Sequence, residues 1–382
     1  MARPEKMKIG VIGCGAISEI YLKNMTNHFS ILEVKGCSDL IEERSKKHSQ
    51  EFGVLQMTND EIYQDPEIEI VLNITSPKSH YEISKAALLA GKHVYSEKMM
   101  AVEWDEGMEL AAIAKEKGLR LGFAPDTFLG GGGQTARKLV DSGMIGEPLY
   151  ASALVVRGYQ PQWEVNTDPM PFIVGAGGGI PFDMGGYYLH AMIQILGSIK
   201  KVTGFGKNNQ AEGVFLNPRN PKYKEPAVVE TPTILTGTLE FENGTYGSIT
   251  TIADGFGEKT RLEIIGTEGI LRCHDPNLFG KPIYLIRKNE NAVPYEMPFT
   301  HGYADGDYRG LGVADMAWGI RKNRPHRCSM ELGLHTFETI HGLLKSGISN
   351  KVYHMTTNCT RPLPLPSGYT IGTMAEACLD HE

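Results

Sequence analysis

The stretch Lys8-Ile9-Gly10-Val11-Ile12-Gly13-Cys14-Gly15-Ala16-Ile17-Ser18 decides how the chain folds. Its first part is a short apolar, β-branched run and reads as a buried strand over Lys8 to Ile12. Glycines then break the run, and a helical pattern opens over Ser18 to Asn27. Glycine at 13 and 15 permits a tight turn and lets backbone N–H groups come close to an anion at the positive end of the helix. Ser18 stands where the third glycine of a G-x-G-x-x-G pattern would stand, and keeps a small residue where helix must pack on strand.

Outward from that turn the same grammar repeats. Leu32 to Ser38 reads as a strand, Ile70 to Ile74 as another, Ser79 to Leu89 as a helix ending at Gly91, and His93 to Ser96 as a strand. Trp104 to Glu116 reads as a helix stopped by Gly118, with Arg120 to Phe123 as one more strand. This alternation argues for βαβ units and a doubly wound parallel sheet over residues 1–125. Beyond it the pattern changes. A helix is expected over Thr135 to Asp141, an alternating strand over Leu149 to Val156, and a long Pro- and Gly-rich loop over Gly158 to Gly179. After a helix at Tyr187 to Leu196, strands at Thr233 to Phe241 and Thr245 to Ile252 flank the turn Glu242-Asn243-Gly244. Arg261 to Ile265 and Gly269 to Cys273 continue the meander, and Leu311 to Arg321 and Glu331 to Ser346 read as helices. The expectation is a second, α+β domain over 126–382, with a C-terminal helix packing back on the first.

A chain of 382 residues is long enough for two well-buried domains. Its 41% hydrophobic and 22% charged content is that of a globular protein, and its net charge of -7 without a Lys/Arg run speaks against nucleic acid as a partner. No stretch approaches the roughly 20 apolar residues of a membrane span, and Met1 to Lys8 reads as neither signal peptide nor anchor. The six cysteines are scattered, which suggests neither a zinc site nor a disulfide framework; no metal and a cytoplasmic setting are expected.

Asp39 ends the second strand about 20 residues past the glycine turn, where a carboxylate hydrogen-bonds the ribose diol of a dinucleotide and repels a 2′-phosphate. NAD is therefore expected, with Arg44 leaving NADP as the secondary outcome. Thr75-Ser76-Pro77-Lys78-Ser79-His80 forms another strand-to-helix turn at the ligand edge of such a sheet. His80 reads equally as a cofactor contact or as a structural histidine at a helix start. Gly13, Gly15, Ala16, Ile17, Asp39, Thr75, Ser76, His80, Glu97 and Lys98 make up the expected cofactor set.

Hydride removal from an alcohol needs a group that takes the hydroxyl proton and one that steadies the oxygen. Ser96-Glu97-Lys98-Met99 and Asp183-Met184-Gly185-Gly186-Tyr187-Tyr188-Leu189-His190 offer both. At helical spacing Asp183, Tyr187 and His190 share one face, on a helix otherwise apolar. Asp183 also reads as a helix cap and His190 as a satisfied interior histidine. Pro125-Asp126-Thr127, Tyr159 and Trp163 are nominated as substrate contacts, aromatic faces being suited to sugar rings.

These motifs, together with Arg309-Gly310-Leu311-Gly312 and Arg324-Pro325-His326-Arg327, resemble the Gfo/Idh/MocA oxidoreductases along nearly the whole chain. The resemblance implies an N-terminal Rossmann domain and a C-terminal α/β domain with a large, open, mostly antiparallel sheet. It also implies sugar, inositol or related polyol substrates and oligomer contacts through that sheet, here a homodimer or homotetramer. It casts Lys98 as the catalytic lysine and Asp183 as the acidic residue that positions substrate. Two residues depart from the pattern: Met99 stands where proline is frequent, and Tyr187 where histidine is frequent, so Tyr187 is expected as the acid/base with His190 second. The rival functions are an NAD-dependent glycosidase acting by transient oxidation and elimination, and a non-catalytic sugar or NAD sensor.

Overall fold

A computed structural model describes residues 5–157, 175–209, 212–215, 218, 220, 222–288 and 291–367. Over these, contacts gather the chain into two compact units, one drawn from Met1–Gln134, Phe299–Leu334 and Pro362–Glu382, the other from Thr135–Pro298 and His335–Arg361. The single boundary near residue 125 is a linear division, whereas this grouping follows contacts.

The first unit contains strands β1 (Met7–Ile12), β2 (Leu32–Ser38), β3 (Leu55–Gln56), β4 (Ile70–Asn73), β5 (His93–Ser96) and β6 (Leu121–Phe123). They lie in the order β3-β2-β1-β4-β5-β6, every neighbouring pair parallel. All of β4 and all but one residue of β1 are buried, as expected of central strands covered on both faces, whose sequences run apolar instead of alternating. Between the strands lie α1 (Ser18–Asn27), α2 (Glu42–Phe52), α3 (Asn59–Gln64), α4 (Pro77–Leu89) and α5 (Trp104–Glu116). The order reverses between β1 and β4, the place where open α/β sheets bind ligands at the carboxyl ends of their strands.

Among the described residues, the second unit is built on a nine-stranded sheet. Helix α6 (Gly131–Asp141) leads to β7 (Pro148–Arg157), and α7 (Gly179–Asp183) and α8 (Gly185–Leu196) follow. Then come β8 (Ile199–Lys207), the small pair β9 (Glu212–Val214) and β10 (Pro226–Val228), β11 (Ile234–Phe241), β12 (Tyr246–Ile252), β13 (Glu258–Gly266), β14 (Gly269–Cys273), β15 (Ile283–Arg287), β16 (Pro294–Met297) and β17 (Tyr353–His354). The sheet order is β16-β15-β14-β13-β7-β12-β11-β8-β17, antiparallel throughout except for β7 beside β12. Burial alternates along β12, so one face is packed and the other half open.

Helix α9 (Leu311–Arg321) belongs to the first unit and α10 (Met330–Ser349) follows it. Asp315, on α9, is fully buried and takes Arg327 through its backbone N–H and guanidinium, each at 2.6 Å, and Arg324 at 3.0 Å. Burial would push that carboxyl up, yet the two guanidinium groups hold it below the usual carboxylate range. No helix among the described residues is long and apolar enough to cross a membrane.

Candidate active site

Because every strand of the first sheet runs the same way, the segments after β1, β2, β4, β5 and β6 emerge at one edge. Those segments carry Gly13, Asp39, Thr75, Glu97 with Lys98, and Asp126.

Gly13 has φ +107°, and a Cβ added there would lie 2.7 Å from the carbonyl carbon and oxygen of Ile74. The turn after β1 is thus pressed against the turn after β4, and only glycine fits. Gly15 is the opposite case: a Cβ there would meet nothing within 4 Å, so open space faces the half-buried backbone ahead of α1. Ile17 is the N-cap of α1 and supplies no side-chain cap, and Ala16 beside it is exposed. The third-glycine position earns its serine: Ser18 Oγ donates to the Gly15 carbonyl at 2.5 Å and lies 2.9 Å from His48 Nε2. An open cradle before a helix start, free of side-chain bulk, fits the pyrophosphate of a dinucleotide.

Asp39 closes this turn from the side. Its Oδ2 accepts the Cys14 N–H at 2.6 Å and its Oδ1 the Ile41 N–H at 2.8 Å, so the carboxylate is held beside the glycine turn. Thr75 N–H and Oγ1 donate to Asn73 Oδ1 at 3.3 and 2.7 Å, while the Asn73 amide donates to the His80 carbonyl and to Ser84. Ser76, the N-cap of α4, is exposed. His80 is buried between two carbonyl oxygens: Nδ1 lies 2.6 Å from that of Met99 and Nε2 3.0 Å from that of Thr75. Burial lowers the pKa of this imidazole, against the pull of both carbonyls. Both ring nitrogens thus face main-chain carbonyls, which speaks for the structural reading of His80, at the junction of the turn after β4 and the segment that carries Lys98.

Glu97 is buried and Lys98 half-buried. Glu97 Oε1 accepts the Tyr21 O–H at 2.7 Å, and Oε2 accepts the Lys98 N–H at 3.1 Å and lies 3.8 Å from Lys98 Nζ. Asp126, nominated as a pocket wall, is 1% exposed, and its Oδ2 accepts the N–H groups of Gly310 and Gly312 at 3.0 and 2.9 Å. It therefore caps the start of α9. Burial pushes its carboxyl up to about 7.

In the second unit the helix expected over Tyr187 to Leu196 is α8, which starts two residues earlier at Gly185, and a short helix not expected from the sequence, α7, precedes it and stops at Asp183. Met184 between them keeps right-handed helical angles and its carbonyl accepts the Tyr187 N–H at 3.1 Å, so Asp183 and Tyr187 stay about one turn apart. Asp183 is half-buried, and Tyr187 and His190 are buried on a helix buried all round. Tyr188, fully buried, donates to Asp275 Oδ1 at 3.1 Å, and Arg157 holds the other oxygen at 3.2 Å. Tyr159 and Trp163 lie outside the described residues.

The sequence reading missed Tyr21 and Asn73. Asn73 had a signal, a polar residue closing the apolar run Ile70-Val71-Leu72; Tyr21 reads as one more apolar-face residue of its helix.

Comparison with known proteins bears on the family and the fold. A Gfo/Idh/MocA family model described as an oxidoreductase family with an NAD-binding Rossmann fold matches residues 7–124, and the C-terminal domain model of the same family matches residues 134–272. The inositol 2-dehydrogenase/D-chiro-inositol 3-dehydrogenase of Lactiplantibacillus plantarum is 29% identical over 159 residues, 39% of this chain and 44% of that protein. The scyllo-inositol 2-dehydrogenase (NADP(+)) of Bacillus subtilis is 25% identical over 201 residues, 52% of this chain and 54% of that one. The chain thus spans about half the length of these curated relatives. Among solved structures, levoglucosan dehydrogenase in complex with NADH and L-sorbose superposes with a TM-score of 0.79 at 18% identity, covering 92% of this chain and 99% of that one, which establishes likeness of fold.

Proposed function

The chain belongs to the Gfo/Idh/MocA oxidoreductases, and on that premise we propose that it is an NAD(H)-dependent dehydrogenase or reductase acting on a sugar, inositol or related polyol. The observation that carries the reading is the convergence of the open cradle at Gly15, the Asp39 carboxylate and Lys98 on the ligand edge of one parallel sheet. The inositol and anhydrosugar enzymes among its likenesses support the substrate class.

When bound, the nicotinamide supplies the hydride acceptor or donor. The backbone of Gly13 to Ile17 would hold the pyrophosphate, and Asp39 the ribose diol. Asp39 favours NAD, because a fixed carboxylate repels a 2′-phosphate. In this proposal Lys98 steadies the substrate oxygen as charge develops on it, and Tyr187 takes or returns the hydroxyl proton, with His190 as its substitute. Asp183 orients a neighbouring hydroxyl. Homodimer or homotetramer assembly and a cytoplasmic setting complete the proposal.

The test is a screen of purified protein with NAD and with NADP against inositols, sugars and anhydrosugars, reading the absorbance of reduced nicotinamide. Net NADH formation is expected. Glycosidic cleavage with no net reduction would turn the reading toward the glycosidase, and cofactor binding with no turnover of any kind toward the sensor. In the active enzyme Lys98→Ala is expected to lower kcat by about 10²- to 10³-fold while NADH still binds.

A further inference from the structure

Tyr21 lies on α1 and is fully buried. Its phenol donates to Oε1 of Glu97 at 2.7 Å, while Oε2 of the same carboxylate accepts the Lys98 N–H at 3.1 Å and faces Lys98 Nζ at 3.8 Å. The ion pair is largely withdrawn from water, with side-chain exposure of 17% for Lys98 and 9% for Glu97. At 3.8 Å the ammonium and carboxylate attract by charge and share no hydrogen bond of normal length. The strength of that attraction depends on where the carboxylate is held. A glutamate has several torsions free to turn, and here a phenol fixes one oxygen and a backbone N–H the other.

Other charged and titratable groups face this pair. Arg309 acts on both Glu97 and Tyr21, Asp126 acts on Tyr21 and is itself raised by Glu97, Tyr95 is raised by Tyr21, and His80 feels both Glu97 and Lys98. Burial would raise the Glu97 carboxyl, but Lys98, Tyr21 and Arg309 together hold it below the usual carboxylate range. The Tyr21 phenol is pushed well above its ordinary value, by burial first and by Glu97 second. The phenol therefore remains a donor and the carboxylate an acceptor.

We propose that Tyr21 is a positioning residue that locks the Glu97 carboxylate as the fixed counter-charge of the Lys98 ammonium. The inference rests on the reading of Lys98 as the group that steadies the substrate oxygen. A lysine beside a fixed anion keeps its proton, so it stabilises developing charge and leaves proton transfer to another group. Tyr21 acts only through Glu97, by keeping that anion in place.

Two measurements test this. Competitive labelling of the cofactor-free protein with fluorodinitrobenzene over a pH series, read as the modified Lys98 peptide by mass spectrometry, gives the titration midpoint of that amine without turnover. Tyr21→Phe is expected to lower the midpoint by about half a pH unit and Glu97→Gln by about one or more. In the active enzyme, Tyr21→Phe is expected to lower kcat several-fold with KM for NAD unchanged, and melting curves confirm that each variant is folded. A midpoint and kcat unchanged in Tyr21→Phe while Glu97→Gln moves both would overturn the positioning role. A midpoint unmoved even in Glu97→Gln would overturn the counter-charge, and with it the proposal, whether or not Tyr21→Phe folds. Lys98→Ala separates this from the catalytic reading: turnover retained there sinks the role of Lys98, while the labelling midpoints still judge the brace.

Discussion

Replacing Gly13 and Gly15 one at a time by alanine separates what the glycine turn needs for folding from what it needs for a ligand. At Gly13 an alanine would sit at φ +107°, with its Cβ 2.7 Å from the Ile74 carbonyl carbon and oxygen and 2.9 Å from the Thr75 nitrogen. The backbone conformation alone costs on the order of 1–3 kcal/mol for a residue with a side chain. The neighbours are main-chain atoms of a buried strand end and cannot swing aside, which adds roughly 1–3 kcal/mol of overpacking. The sum, about 2–6 kcal/mol, is a large part of the total stability of a typical domain. It predicts a melting temperature lower by about 5 to 20 °C for a domain of ordinary size. At Gly15 φ is not positive and the added Cβ meets nothing within 4 Å, so stability should stay within roughly 1 kcal/mol of the parent. That methyl group would instead fill the space ahead of α1, and NADH affinity should fall at least about tenfold, which is 1.4 kcal/mol. Calorimetry gives the first quantity and fluorescence titration with NADH the second. A Gly15→Ala protein that binds NADH as tightly as the parent would refute the pyrophosphate assignment; a Gly13→Ala protein that melts with the parent would refute the strain argument.

Three further outcomes are expected. Asp39→Ser should move cofactor preference toward NADP, read as the ratio of Kd values, and should also lose roughly 1–3 kcal/mol of stability because the Cys14 and Ile41 N–H groups lose a charged acceptor. Asp315→Ala leaves Arg327 buried without its counter-ion and should cost about 3–5 kcal/mol in denaturant unfolding; a loss below 1 kcal/mol would remove the ion pair from the account of the first unit's core. Asp126 has its folded-state pKa raised to about 7 by burial, so its contribution to stability is fully present below its unfolded pKa of about 4 and is lost as pH rises toward 7. Asp126→Asn keeps an oxygen for Gly310 and Gly312 and abolishes that slope, so its stability relative to the parent should improve by about 2 kcal/mol from pH 5 to pH 7, and equal slopes in the two proteins would contradict the raised value.

What the sequence disclosed of the fold follows from where its information is local. Helices α1 and α5 and strands β2 and β5 were readable to the residue, because an apolar stripe or run carries each and a glycine or turn bounds it. Helix α2 was missed: Glu42–Phe52 buries only Ser45 and His48, so it has no apolar face to read. Helix α6 begins at Gly131, four residues ahead of the expected Thr135; Gly131-Gly132-Gly133 has almost no intrinsic helix preference to read, and the Gly131 N–H donates to the distant Tyr303 carbonyl at 3.2 Å. Strands β15 and β16 gave too short a pattern to set against the surrounding loops.

The candidate site divides in the same way, and two aspartates show where the division falls. Asp39 and Asp126 both follow strand ends, and position at the carboxyl edge of a parallel sheet marked both as ligand contacts. Asp39 is half-buried and its acceptors are satisfied from 2 and 25 positions away, within the turn that its own strand helps to form. Asp126 is buried, and its partners Gly310 and Gly312 return to it from 184 and 186 positions away. Tyr21 and Glu97, 76 positions apart, are a pair of the same kind. Motif reading locates the edge of the sheet, because the strand-turn-helix repeat is local. Whether a carboxylate on that edge faces a ligand or anchors the backbone depends on which distant segment arrives to cover it, and that is a property of tertiary packing. The groups that hold Lys98 in place are therefore the part of the site least legible in the sequence, since buried side chains meeting across the core leave no spacing to recognise.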